Sequence, residues 1–128
     1  MANRRMFQFR LSLQRDVVDL SLKAAIGASG APTISTTDAK GITSITRNSA
    51  GKYTILLQDN YAALMSATVT VLNATASAAP ITQLISEQVS NSTTPQVVVQ
   101  CLDAAGAAAD PDSGATLMVH LMLRNAST

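Results

Sequence analysis

Cys101 and His120 are the only thiol and the only imidazole in the chain. A thiol beside an imidazole makes a nucleophile with its base. The two lie on separate expected strands joined by the segment Asp103–Gly114, which leaves them free to approach. Cys101, however, continues the apolar row of Val97 and Val99, where a free cysteine packs as a small hydrophobe. Packing is the better account, no catalytic residue is assigned, and an enzyme is not expected. Asp103, Asp110 and Asp112 share one loop whose oxygens suit calcium. Asp110-Pro111-Asp112-Ser113-Gly114 is equally ordinary turn chemistry, and the solvated loop is the simpler reading. One His and one Cys without clustered carboxylates cannot close a zinc site. A phosphate-binding glycine loop and a nucleotide fingerprint are missing. No metal and no cofactor is expected.

Two apolar rows invite binding instead. Met118, His120 and Met122 alternate with Leu117, Val119, Leu121 and Leu123, so this strand is apolar on both faces. It is either a central strand covered on both sides or an inter-subunit face to which methionine lends adaptable contact area. The second row is Phe7, Phe9, Leu11 and Leu13, alternating with Gln8, Arg10, Ser12 and Gln14 in a terminal arm, residues 1–15. The arm either completes its own sheet or adds to a neighbour through its backbone while its arginines meet acidic groups. The second option is favoured. The expected partner contacts are Arg4, Arg5, Phe7, Phe9 and Arg10 on the arm, with Met118, His120 and Met122.

Alternation with period two places these rows on strands. Val18, Leu20, Leu22, Ala24 and Ile26 form the first core strand, and Gly27-Ala28-Ser29-Gly30-Ala31-Pro32 ends it. Thr33–Thr36 is a short strand before the turn Thr37–Gly41. A hairpin runs from Ile42 through Asn48-Ser49-Ala50-Gly51 to Tyr53, Ile55 and Leu57, with Gly51 free to take a positive φ. Asp59–Leu64 opens on a plausible N-cap and predicts a single helical turn. Further strands follow at Ala67–Asn73, at Ile81–Val89 with the polar character of an edge, at Val97–Leu102 and at Leu117–Arg124. The loops between them are Ala74–Pro80, Asn91–Pro95 and Asp103–Gly114. About seven or eight strands at this spacing predict an all-β antiparallel sandwich, residues 16–128, behind an extended N-terminal arm.

Composition narrows the class of protein. Aromatic residues are 3% of the chain and charged residues only 13%, against about 25% in ordinary soluble domains. So sparsely charged a surface points to cover by other subunits. Net charge is +1, but residues 1–15 hold Arg4, Arg5, Arg10 and Arg15 with no acid, +4 ahead of a body at −3. Four arginines with no exposed aromatic platform beyond Phe7 and Phe9 are too few to point to nucleic acid. The single cysteine excludes an internal disulfide. No secretory signal is expected, because no apolar h-region follows the arginines, and no apolar run reaches the length of a membrane span.

Gly41-Ile42-Thr43-Ser44-Ile45-Thr46-Arg47, Gly51-Lys52-Tyr53-Thr54-Ile55 and Asp59-Asn60-Tyr61 together resemble a pattern in small virion proteins of tailed bacteriophages. Val69-Thr70-Val71-Leu72-Asn73 and Cys101-Leu102-Asp103-Ala104-Ala105-Gly106 extend the likeness over most of the chain from about Val17. Those are capsid cement, or decoration, proteins, with related modules in head and tail fibres. The resemblance implies a non-enzymatic virion protein on the capsid surface, assembled in the host bacterial cytoplasm. It further implies a homo-oligomer, dimer or trimer, whose partner is the major capsid protein. The alternative is a tail-fibre or receptor-binding module recognising a host surface glycan.

Overall fold

The computed structural model describes residues 17–35, 37, 39–73 and 81–125. Eight strands make up the described fold: β1 (Val17–Ile26), β2 (Pro32–Ile34), β3 (Ile42–Ser49), β4 (Lys52–Leu57), β5 (Ala63–Leu72), β6 (Ile81–Gln88), β7 (Gln96–Leu102) and β8 (Thr116–Arg124). They build two four-stranded sheets, sheet A in the order β2-β1-β8-β5 and sheet B in the order β3-β4-β7-β6. Every neighbouring pair is antiparallel. The expected antiparallel β-sandwich is the observed fold. The arm contacts Arg4, Arg5, Phe7, Phe9 and Arg10, and the loop Ala74–Pro80, lie outside the described residues.

Each central strand owes its place to one apolar row. Leu20, Leu22, Ala24 and Ile26 of β1 turn inward, while Asp19, Ser21 and Lys23 face out. Leu117, Val119, Leu121 and Leu123 of β8 do the same, opposite Tyr53, Ile55 and Leu57 of β4 and Val97, Val99 and Cys101 of β7. Burying each of the larger aliphatic side chains contributes about 1.5–3 kcal/mol. The four inner strands, β1 and β8 over β4 and β7, therefore hold the core.

The hairpin β3–β4 is tighter than its sequence implies. Ser49 already pairs with Lys52, and Asn48 is the extra residue of a bulge between Arg47 and Ser49. Gly51 has φ +69°, and a Cβ there would overlap the Cys101 carbonyl and lie 2.7 Å from the Ala109 carbonyl. Glycine is required on both counts.

Asp59–Leu64 is not helical. The chain bends there because its backbone groups are claimed at long range: Tyr61 N–H donates to the Val89 carbonyl at 2.8 Å and Ala62 N–H to the Arg124 carbonyl at 2.9 Å. Ala63 and Leu64 already belong to β5, paired with Arg124 and Leu123. The turn that does occur is a single distorted 3₁₀ turn at Ala28–Gly30, in which Ser29 (φ +57°) and Gly30 (φ +73°) are both left-handed.

Candidate functional site

Cys101 packs in the core as its apolar row implied, and it forms no pair with His120. Cys101 is on β7 of sheet B, wholly buried, whereas His120 is on the outer face of β8 in sheet A. Burial pushes the Cys101 thiol up to about 11, which leaves it protonated and inert at neutral pH. The loop aspartates do not converge either. Asp103 Oδ1 accepts from the Ala105 and Ala107 backbone N–H groups, both at 2.9 Å.

Asp110 has a different role. Its carboxylate accepts two hydrogen bonds from the Arg47 guanidinium, at 2.9 and 2.7 Å, and one from the Gly51 N–H at 2.8 Å. The Tyr53 hydroxyl has one proton and two acceptors in reach, the Gly30 carbonyl at 3.0 Å and Asp110 Oδ1 at 3.3 Å. The Arg47 guanidinium and the Gly51 N–H hold the Asp110 carboxyl below its ordinary value, against partial desolvation. Burial raises the Tyr53 hydroxyl well above the usual tyrosine range, so it stays protonated and donates. This cluster joins three segments distant in sequence: the 3₁₀ turn, the β3–β4 hairpin and the β7–β8 loop. It is a lock on the fold, built from a turn aspartate and a hairpin arginine.

The methionine row lies where an interface can use it. Met118, His120 and Met122 are half-buried on the outer face of β8, with β1 on one side and β5 on the other. Register sets them in three cross-strand rows: Lys23–Met118–Thr70, Ser21–His120–Thr68 and Asp19–Met122–Ser66. His120 Nε2 is 3.6 Å from Asp19 Oδ1, with 44% of the imidazole side chain exposed. Among the described residues, β8 is thus a central strand with its inner face buried and its outer face half-buried. Beside this face an open groove of about 740 Å³ is lined by Asp19, Lys23, Lys40, Thr68, Thr70 and His120, among others. Its walls offer charge, hydroxyls and an imidazole, and no Phe, Tyr or Trp side chain.

A second surface escaped the sequence reading. The exposed large hydrophobic residues of the described chain are Met65, Leu72, Ile81, Leu84 and Ile85, and all five sit on β5 or β6. These strands are the outer edges of their sheets, next to one another on the same flank. The Thr82 hydroxyl donates to the Val69 carbonyl at 2.7 Å, joining the two strands. Seven of the eight residues of β6 are exposed. Even its inward positions lack cover: Leu84 faces the same way as its partner Val99, yet Leu84 is 39% exposed and Val99 0%. A detectable signal was charge, since β5 has no ionisable residue and β6 only Glu87. Sequence alone does not say that both strands are edges on one side.

Comparison of the chain with protein-family models, with curated proteins and with solved structures finds no match.

Proposed function

We propose that this chain is a structural protein of a phage virion, a capsid cement protein that bridges neighbouring subunits of the major capsid protein as a homo-oligomer. The observation that carries this reading is the flank formed by β5 and β6. Five large aliphatic or thioether side chains stand exposed on two adjacent edge strands with one charge between them. An uncovered apolar edge of that length is a liability for a free monomer and an asset for a protein that works inside an assembly. The half-buried Met118, His120 and Met122 on the outer face of sheet A supply a second contact area, and the arginine arm a third. Several modest contacts acting together give firm attachment to a lattice that presents each site repeatedly. The proposal assigns no catalytic step to the chain and no cofactor. The resemblance to virion cement proteins, read from the sequence over most of the chain from about Val17, is what points this reading to a capsid.

The groove beside His120 favours a second reading, a tail-fibre or receptor-binding module for a host glycan. Asp19, Lys23, Lys40 and the threonine hydroxyls are suitable partners for sugar hydroxyls. The missing aromatic platform weighs against it, since sugars stack on ring faces.

Localising the protein in a reconstruction of the virion that encodes it tests both. Density across capsid subunit boundaries is the expected result. Density at the tail tip, with binding of the purified chain to host cells, replaces the first reading by the second. Absence from the particle overturns both.

A further inference from the structure

We propose that β6 is the docking edge for residues 7–14 of a second copy of this chain, which add to sheet B as a fifth strand beyond β6. The proposal narrows the virion reading by naming the arm's neighbour, but it concerns the purified chain and is tested without capsids.

Three features of β6 describe an acceptor strand. It pairs with β7 on one side and ends sheet B on the other, where no strand among the described residues pairs with it. Its main-chain groups along that side are therefore ready to pair. Its side chains are exposed on both faces, with Ile81, Leu84 and Ile85 uncovered. An added strand covers such a pattern from the side, by cross-strand neighbours on each face. Its single charge is the acid Glu87. The edge of β5 is a poorer acceptor, because Thr82 already occupies the Val69 carbonyl.

The arm has the complementary properties. Phe7, Phe9, Leu11 and Leu13 alternate with Gln8, Arg10, Ser12 and Gln14 over eight residues, and β6 spans eight residues. The arm carries four arginines and no acid in residues 1–15, so it meets Glu87 with attraction and no like-charge contact. Main-chain bonds then supply affinity, and the alternating side chains supply register.

Chain length selects the second copy over the same chain. Residue 14 is three Cα steps from Val17, a reach of at most about 11 Å. β1 is two strands from β5, the flank strand of its own sheet, and β6 lies in the opposite sheet. Two strand spacings and one inter-sheet gap put β6 about 14 Å from β1, and the added strand farther still. An arm paired along residues 7–14 cannot return to its own β6.

Sedimentation equilibrium on the full-length chain at about 100 μM, a concentration suited to weak edge pairing, provides the test. The wild type is expected above monomer mass. The arm variant Phe9→Glu/Leu11→Glu and the edge variant Leu84→Glu/Ile85→Lys should each associate at least about tenfold more weakly. An equimolar mixture of the two variants should regain association, because each supplies the half the other lacks. Circular dichroism checks that each variant is folded. If the edge variant is not, Ile81→Lys at its half-exposed position replaces it. A monomeric wild type overturns the proposal. So does an arm variant that associates as the wild type does, because β6 then pairs without the arm. Folded variants whose mixture stays monomeric overturn it as well.

Discussion

The two flanks of the sandwich end their sheets in opposite ways. On one side β2 is three residues long and begins with Pro32, and β3 is broken by two register shifts and fastened by Arg47 to Asp110. A short strand, a proline and bulges are the usual means of making an edge unattractive to another chain. On the other side β5 and β6 run for ten and eight residues and present all five of the exposed large hydrophobics among the described residues. The same fold thus carries one sealed edge and one receptive edge. Polar investment follows the division: the Asp110 cluster secures the end of the sealed flank, whereas the receptive flank has a single side-chain bond between its strands. The contrast separates what holds the chain together from what it offers to others.

Breaking the seal should have the largest effect. Asp110→Ala removes the acceptor of two guanidinium bonds and of the Gly51 N–H, leaving a partly buried amide and an arginine unpaired. Charge-assisted bonds of this kind support an expected loss of about 3 kcal/mol in urea denaturation. Hydrogen exchange should rise most in β3 and β4 and less in β5 and β6, because the cluster does not touch the second flank. Gly51→Ala attacks the same corner through the backbone. A left-handed alanine and overlap with two carbonyls should cost about 2 kcal/mol, seen as a lower urea midpoint at constant slope.

On the receptive flank, equally large chemical changes should leave stability almost alone. Leu72 is 59% exposed and Ile81 50%, so Leu72→Ser with Ile81→Ser removes little buried area. Unfolding free energy should move by no more than about 0.5 kcal/mol. Binding of an apolar-surface dye such as ANS should fall clearly in the same variant. A fall in stability comparable to that of Asp110→Ala would show that both flanks serve the core, and the distinction between them would fail.

The sandwich itself was readable because its inner strands alternate. Leu20 to Ile26, Tyr53 to Leu57 and Leu117 to Leu123 each announce one buried row, and the structure buries each. What depends on distant pairing was not readable. Asp59–Leu64 has the composition of a helical start, but Val89 and Arg124 claim its N–H groups. Asp110 reads as turn chemistry because its partner Arg47 is 63 residues away. The single loop between the strands of Cys101 and His120 left their separation open, and that loop crosses from one sheet to the other. The receptive flank depends on strand order: Leu84, which stands inward beside Val99, would be a core residue if β6 lay inside its sheet. The arm contacts Arg4, Arg5, Phe7, Phe9 and Arg10 fall outside the described residues.

Acid titration is the finest test of the contrast, and its effect is the smallest, because protonation removes the charge of Asp110 while leaving its shape. Hydrogen bonds from Arg47 hold the folded-state carboxyl below its ordinary value of 3.8. Unfolding releases those bonds, so the unfolded chain takes up a proton at higher pH than the folded chain does. The ionised carboxylate therefore contributes its full stability above about pH 4 and loses it as pH falls through the folded-state value. Asp110→Asn has no such proton to bind. The stability gap between wild type and Asp110→Asn should be constant from pH 5 to pH 7 and narrow below the ordinary carboxyl range. The matched pair on the other flank, wild type and Leu72→Ser/Ile81→Ser, should keep a pH-independent gap throughout, since neither substitution alters a titrating group. If instead the Asp110→Asn gap is the same at pH 2.5 as at pH 7, the carboxylate's charge is not what seals the corner, and the lock would rest on the Tyr53 hydroxyl and the packing of Gly30 and Gly51 around it.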